Sequence, residues 1–213
     1  MMTEHASHPV FARVYARVAE MGERREGAAH RRKLLAGLRG RVLELGAGSG
    51  ANFQHYPTSV SEVVAVEPER YLRERAESAA ARAPVSVAVA QGGSDRLPGD
   101  AESFDAGVVA LVLCTVPDQQ HALAELHRVI RPGGELRFYE HVISKSVWEA
   151  RFQRLADSTL WPHLSGGCHL ARDTGAAIEQ AGFQIETFER FRFSPAAFLP
   201  ADPHVLGVAR RRA

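Results

Sequence analysis

Cysteine is scarce in this chain: Cys114 and Cys168 are the only two among 213 residues. Two thiols make no disulfide framework and suit a reducing compartment. No stretch approaches the roughly 20 apolar residues that cross a bilayer. The opening residues, MMTEHASHPV, contain no apolar core of a signal peptide. The expectation is a cytoplasmic protein without a transmembrane anchor. An excess of one charge is missing too. The formal net charge is +1, so no general attraction to nucleic acid arises and no nucleic-acid partner is expected. Internal repeats and low-complexity tracts are absent. The remainder, 45% hydrophobic and 24% charged, is an ordinary globular composition, long enough for one domain with a full core.

The stretch that stands out runs from Arg41 to Asn52, RVLELGAGSGAN. An apolar run, Val42 to Leu45, ends in glycines at alternate positions, Gly46, Gly48 and Gly50. This pattern reads as a buried strand entering a tight turn that opens a helix. Glycine there accepts positive φ and lets a ligand approach the backbone. The helix start would offer free N–H groups to the crevice. Gly46, Gly48 and Ala51 also fit G-x-G-x-x-A, the dinucleotide fingerprint. Two acids bear on the choice. Glu44 lies inside the strand, where an unpartnered carboxylate is costly. Glu67 ends a second apolar run, about 20 residues on, where an acid reaches the ribose hydroxyls of an adenosine-containing ligand.

Before this stretch, apolar residues at Phe11, Val14, Tyr15 and Val18 have helical spacing over Val10–Glu20. A second helix is expected from Glu26 to Leu38, with Arg31, Arg32 and Lys33 on a solvated face or on a basic lid that touches an anionic substrate or lipid headgroups. Strands at Arg41–Leu45, Glu62–Val66, Val85–Ala90, Ala106–Leu113 and Glu135–Tyr139 then alternate with helices, including Gln119–Ile130. Ser146–Leu155 reads as a helix and Leu160–Leu170 as a loop. A helix capped at Asp173 or Thr174 stops at Gly182. Gln184–Phe193 and His204–Arg210 read as an antiparallel pair at one sheet edge. The fold expected is α/β: a Rossmann-like, doubly wound, seven-stranded, mostly parallel sheet with an antiparallel last strand and N-terminal helices. Residues 1–38 would form a helical cap within the same domain as residues 39–213.

As a set, the glycine loop with Glu44, Glu67-Pro68, Gly93-Ser94-Asp95-x-Leu-Pro98, Phe104-Asp105 and L-x-R-V-I-R-P-G-G resembles the class I S-adenosylmethionine-dependent methyltransferases. A narrower resemblance, to the thiol methyltransferase-like proteins and their bacterial relatives, lies in Gly50-Ala-Asn-Phe53, Tyr56-Pro57, Leu111-Val-Leu-Cys-Thr-Val116, Tyr139-Glu-His-Val142 and Gly167-Cys-His-Leu-Ala-Arg172. The resemblance implies S-adenosylmethionine as cofactor, with S-adenosylhomocysteine as product, and a small alkyl thiol as acceptor. Glu44 would anchor the methionine ammonium, and Gly46, Ala47, Gly48 and Gly50 would meet the methionine part through the backbone. Glu67, followed by Pro68, would take the ribose. Asp95 and Ser94 would meet adenine, and Leu111 would line the cofactor.

Methyl transfer from a sulfonium needs alignment and exclusion of water, so no metal is expected. Cys114, His141, Cys168 and His169 match no zinc spacing. His141, just past the fifth strand, is the first candidate for base or thiol-positioning group, and His169 the second. Phe11, Tyr15, Trp148, Trp161 and Phe198 could line an apolar acceptor pocket. The alternatives are O- or N-methylation of a quinone, lipid or natural product, a nicotinamide-dependent oxidoreductase, and a cofactor-binding protein without turnover. Cys114-Thr-Val-Pro-Asp118 replaces the asparagine-proline-proline-aromatic motif of amino-group methyltransferases, which argues against adenine as acceptor.

Overall fold

The computed structural model describes residues 17, 21–159, 161–196 and 200–212. A π-helical turn, Glu23–Gly27, leads into α1, Ala28–Leu35. Then follow β1 (Gly40–Leu45), β2 (Val60–Val66), α2 (Arg70–Ala80), β3 (Val87–Ala90), β4 (Phe104–Ala110), α3 (Gln119–Val129) and β5 (Ile130–His141). The chain ends with α4 (Val147–Asp157), α5 (Trp161–Leu164), α6 (Thr174–Gln180), β6 (Phe183–Phe193) and β7 (Asp202–Arg211). Side-chain caps explain three of the helix starts. Glu69, Asp118 and Asp173 each accept from a backbone N–H in the first turn of α2, α3 and α6.

The seven strands form one sheet in the order β3-β2-β1-β4-β5-β7-β6. β1 to β5 are parallel, and β7 runs antiparallel to both β5 and β6. This is the doubly wound sheet expected, with the strand order reversing between β1 and β4. A ligand crevice belongs at that point, beyond the carboxyl ends of the strands.

Strand alternation sorts the side chains into two cores. Leu43 and Leu45 of β1 join Val109, Leu126 and Ile178 on the face covered by α3 and α6. Val42 joins Leu34, Leu35, Ala76, Val108 and Tyr139 on the face covered by α1 and α2. Glu44, two residues after Val42, shares the α1 face.

Three sequence expectations are corrected. No α-helix follows Gly50. Gly48 and Gly50 have φ of +56° and +80°, incompatible with helix, and Pro57 holds Tyr56 extended. Only a 3-10 turn, Phe53–His55, forms between them. Secondly, the apolar run of β4 stops being strand at Ala110, because Leu111 takes a φ of +60°. Thirdly, the stretch expected as loop contains the short helix α5. The helix expected at Val10–Glu20 falls almost wholly outside the described residues.

The glycines of the turn differ in what surrounds them. A Cβ on Gly46 would stand 2.3 Å from Val112 Cγ2, whereas one on Gly48 would meet nothing within 4 Å. Gly46→Ala is therefore expected to cost about 2–3 kcal/mol of stability and Gly48→Ala about 1 kcal/mol. Urea denaturation of both variants checks this, and equal losses would contradict it.

Candidate active site

Glu44 is 2% exposed, and a carboxylate so buried needs donors. Its Oε1 accepts from Asn52 Nδ2 at 2.9 Å and its Oε2 from the Tyr56 hydroxyl at 2.7 Å. Asn52 Oδ1 in turn accepts from Arg31 Nη1 at 2.8 Å, and Arg31 Nε donates to Glu23 at 2.5 Å. Burial still pushes the Glu44 carboxyl up to about 7, although Tyr56, Asn52 and Arg31 oppose the shift. The same burial, beside Glu44, raises the Tyr56 phenol well above its ordinary value. Two bonds leave the carboxylate with lone pairs for a further donor.

Arg31, Glu44, Gly46, Ala47, Gly48, Ser49, Ala51, Asn52 and Ala110 line a crevice of about 20 Å³. That space takes little more than one water, so Arg31 or the glycine loop must shift to admit a larger ligand. A cation, a buried acid and an open glycine backbone then meet at one point. This fits a zwitterionic amino-acid group better than a pyrophosphate, which would face Glu44 and Glu67 without a helix N-terminus. A larger groove of about 580 Å³, bordered by Asp118, His121, His127 and Gln180, shares no residue with the crevice.

Glu67 ends β2 and is 5% exposed. Its carboxylate accepts from the N–H of Gly48 at 2.8 Å and of Glu69 at 3.0 Å. Burial raises its pKa, and those two bonds oppose the rise. The second acid thus reaches the glycine loop directly. Pro68 is exposed beside it, and its carbonyl accepts from Arg73. Ser94 is buried. Asp95 is exposed, and its carbonyl pairs with His121 Nε2 at 2.7 Å.

The end of β4 is held by a buried acid that sequence reasoning missed. Leu111 N–H donates to the Tyr139 carbonyl at 2.7 Å. The next three N–H groups, of Val112, Leu113 and Cys114, donate to Glu140 at 3.0, 3.0 and 3.2 Å. Glu140 is fully buried, and burial lifts its pKa well above the ordinary carboxylate range. These bonds fix the left-handed backbone of Leu111, a conformation that costs about 1 kcal/mol or more. An acid inside an apolar strand, one residue past Tyr139, was the available signal. Arg31 was missed as well. It is 7% exposed rather than part of a solvated face, and its spacing from Leu34 and Leu35 places it on the core side of α1.

His141 ends β5 on the face of Tyr139 and is 6% exposed. Its ring lies 5.2 Å from that of His204 and its Nε2 is 3.9 Å from Asp202 Oδ2. Neither ring nitrogen has a hydrogen-bond partner among the described residues. Burial lowers its pKa to about 4, with Glu149 opposing, so the imidazole is neutral at pH 7. His169 is apart from it: its N–H donates to the Cys114 carbonyl at 2.8 Å, and its half-exposed ring stands 3.9 Å from Asp157. Of the aromatic residues expected around an acceptor, Trp148 and Trp161 point outward at 77% and 42% exposure. Phe11, Tyr15 and Phe198 lie outside the described residues.

Comparison with known proteins agrees with this geometry. Residues 43–138 match the family described as Methyltransferase domain. The chain is 39% identical to the thiol S-methyltransferase TMT1B of Mus musculus, over 83% of this chain and 74% of that protein. It is 35% identical to the human thiol S-methyltransferase TMT1A, over 79% of this chain and 69% of that protein. Among solved structures, an S-adenosylmethionine dependent methyltransferase from Mesorhizobium loti shares the fold, with a TM-score of 0.63 at 21% identity, covering 87% of this chain and 97% of the other. Identity at that level over most of the length places the chain in one family with TMT1A and TMT1B, and makes it an S-adenosylmethionine-dependent methyltransferase.

Proposed function

We propose that this enzyme methylates small, fairly apolar thiols. The observation that carries the reading is the 39% identity to the thiol S-methyltransferase TMT1B over 83% of the chain. A neutral, buried imidazole at the carboxyl edge of β5, neither of whose ring nitrogens has a hydrogen-bond partner among the described residues, supports it, since it can accept a hydrogen bond from a thiol.

When bound, S-adenosylmethionine supplies an electrophilic methyl group, and the chain's residues align and enclose it. Glu44 accepts from the ammonium of the methionine part, while Arg31 offers its carboxylate a cation. Gly46, Ala47, Gly48 and Gly50 present backbone at close range. Glu67, beside Pro68, accepts from the ribose hydroxyls. Ser94 and Asp95 serve the adenine, and Leu111 lines the cofactor through its fixed backbone. His141 receives the thiol hydrogen bond. A basicity near 4 makes it a positioning acceptor rather than a strong base, and the departing proton passes to water. His169 is the second candidate for that contact. The acceptor in this reading is a small molecule, and its methylation calls for no metal.

Methyl transfer to a panel of alkyl thiols, with phenols, quinols and amines alongside, tests the reading. Turnover confined to thiols is expected. Turnover on oxygen or nitrogen acceptors alone would overturn the acceptor and leave the methyltransferase assignment standing. Glu67→Ala is expected to weaken S-adenosylmethionine binding by about 2 kcal/mol, the scale of hydrogen bonds lost to a charged group. Calorimetric titration measures this, and unchanged affinity would remove Glu67 from the site.

The histidine has its own pH signature. A folded pKa of about 4, below the ordinary 6.5, makes its stabilising share complete above pH 6.5 and lost as pH falls toward 4. Between pH 7.5 and pH 5 the wild type should lose about 2 kcal/mol more stability than His141→Asn. Denaturation curves at both pH values read the difference, and parallel losses would contradict the buried neutral imidazole.

A further inference from the structure

α4 carries its apolar residues on the wrong side for a helix of a globular domain. Trp148, Phe152 and Leu155, at i, i+4 and i+7, share one face and are 77%, 66% and 64% exposed. Val147, at 64%, borders them. The opposite face, which meets the domain, is small and polar. Ala150 and Gln153 are buried there, and Gln153 grips the chain by accepting from Ser144 N–H and donating to the Val142 carbonyl. The helix is therefore attached by polar hooks while its large side chains face solvent.

The exposed charges of α4 and of Lys145 just before it have one sign. Lys145, Arg151 and Arg154 are all exposed, and the Arg151 guanidinium lies over the Trp148 ring at 5.1 Å. The two acids of the helix are engaged elsewhere. Glu149 is bound by Arg192 and Ser144, and Asp157 accepts from the N–H groups of Leu170 and Ala171. An aromatic and aliphatic stripe with a basic flank is the pattern of a helix lying in a bilayer interface, its ring faces among acyl chains and its cations among headgroups. Exposed apolar area of this kind on successive turns calls for a partner.

We propose that α4 is a docking face for an anionic phospholipid surface, seating the enzyme in the interface. The short link from His141 to α4 would hold the carboxyl edge of the sheet near that surface. The proposal does not depend on the acceptor being a thiol.

The test uses the full chain with vesicles of phosphatidylcholine alone and of equimolar phosphatidylcholine and phosphatidylglycerol. Co-flotation with the anionic vesicles and little with the neutral ones is expected. The Trp148→Ser, Phe152→Ser double variant and the Arg151→Glu, Arg154→Glu double variant should each bind about tenfold more weakly or worse. Both should keep the wild-type melting temperature and methyl transfer to a water-soluble acceptor. In Trp161→Phe, Trp148 is the only tryptophan, and its emission should shift to the blue on anionic vesicles. Absence of flotation, flotation indifferent to both double variants, or an unshifted emission would overturn the proposal. So would a self-association in sedimentation that Trp148→Ser, Phe152→Ser abolishes while vesicles remain unbound, which would make the face a contact between copies of this chain.

Discussion

The buried carboxylate of Glu44 is the constraint on which the carboxyl end of β1 and the loop after it depend. Strand parity sends it under α1 into an apolar layer with Val42, Val108 and Tyr139, where a bare charge would be untenable. The surrounding chain is arranged to meet that need. Asn52 and Tyr56, four residues apart, both donate to it, which shapes the turn between them. Arg31 reaches down from α1 and completes the network through Asn52. The glycine loop is thereby closed over by the same side chains that would recognise an amino-acid head group.

A second buried acid does the corresponding work on the other side of the crevice. Glu140 gathers three successive N–H groups at the end of β4 and holds Leu111 in a conformation that it would otherwise leave. The two acids face opposite sides of the sheet, on strands that flank β4. Between them the loops after β1 and β4 are fixed by side-chain carboxylates rather than by helix or strand ladders. Rigidity there matters to a reaction whose main demand on the protein is alignment.

Much of this was legible from residue order. Alternating apolar runs and helical spacing locate the strands, and the glycine loop with Glu44 and Glu67 marks the crevice. What escaped the reading has a common cause. Asn52 and Tyr56 as donors, Glu140 as a loop anchor and Arg31 as a buried cation are all partnerships between different elements and loops, invisible to local periodicity. The helix expected after Gly50 failed for a local reason instead, the positive φ of Gly48 and Gly50 and the extended backbone that Pro57 imposes on Tyr56. The apolar run that suggested strand up to Leu113 was redirected at Leu111 by bonds to β5. Trp148 was read as a pocket residue because spacing alone does not reveal which way a helix faces.

The most direct measurement is the affinity of S-adenosylhomocysteine for the wild type and Glu44→Gln between pH 5.5 and pH 8.5, a range of about 1.5 units on either side of neutrality that brackets this carboxyl. With Glu44 near 7 in the free protein, holding an ammonium requires its ionised form, so binding should release a proton. Wild-type affinity is expected to rise about tenfold per pH unit below 7 and to level off above it. Glu44→Gln should bind more weakly with a flatter profile. A wild-type profile as flat as that of the variant would contradict the role of Glu44 as the buried anchor of the cofactor.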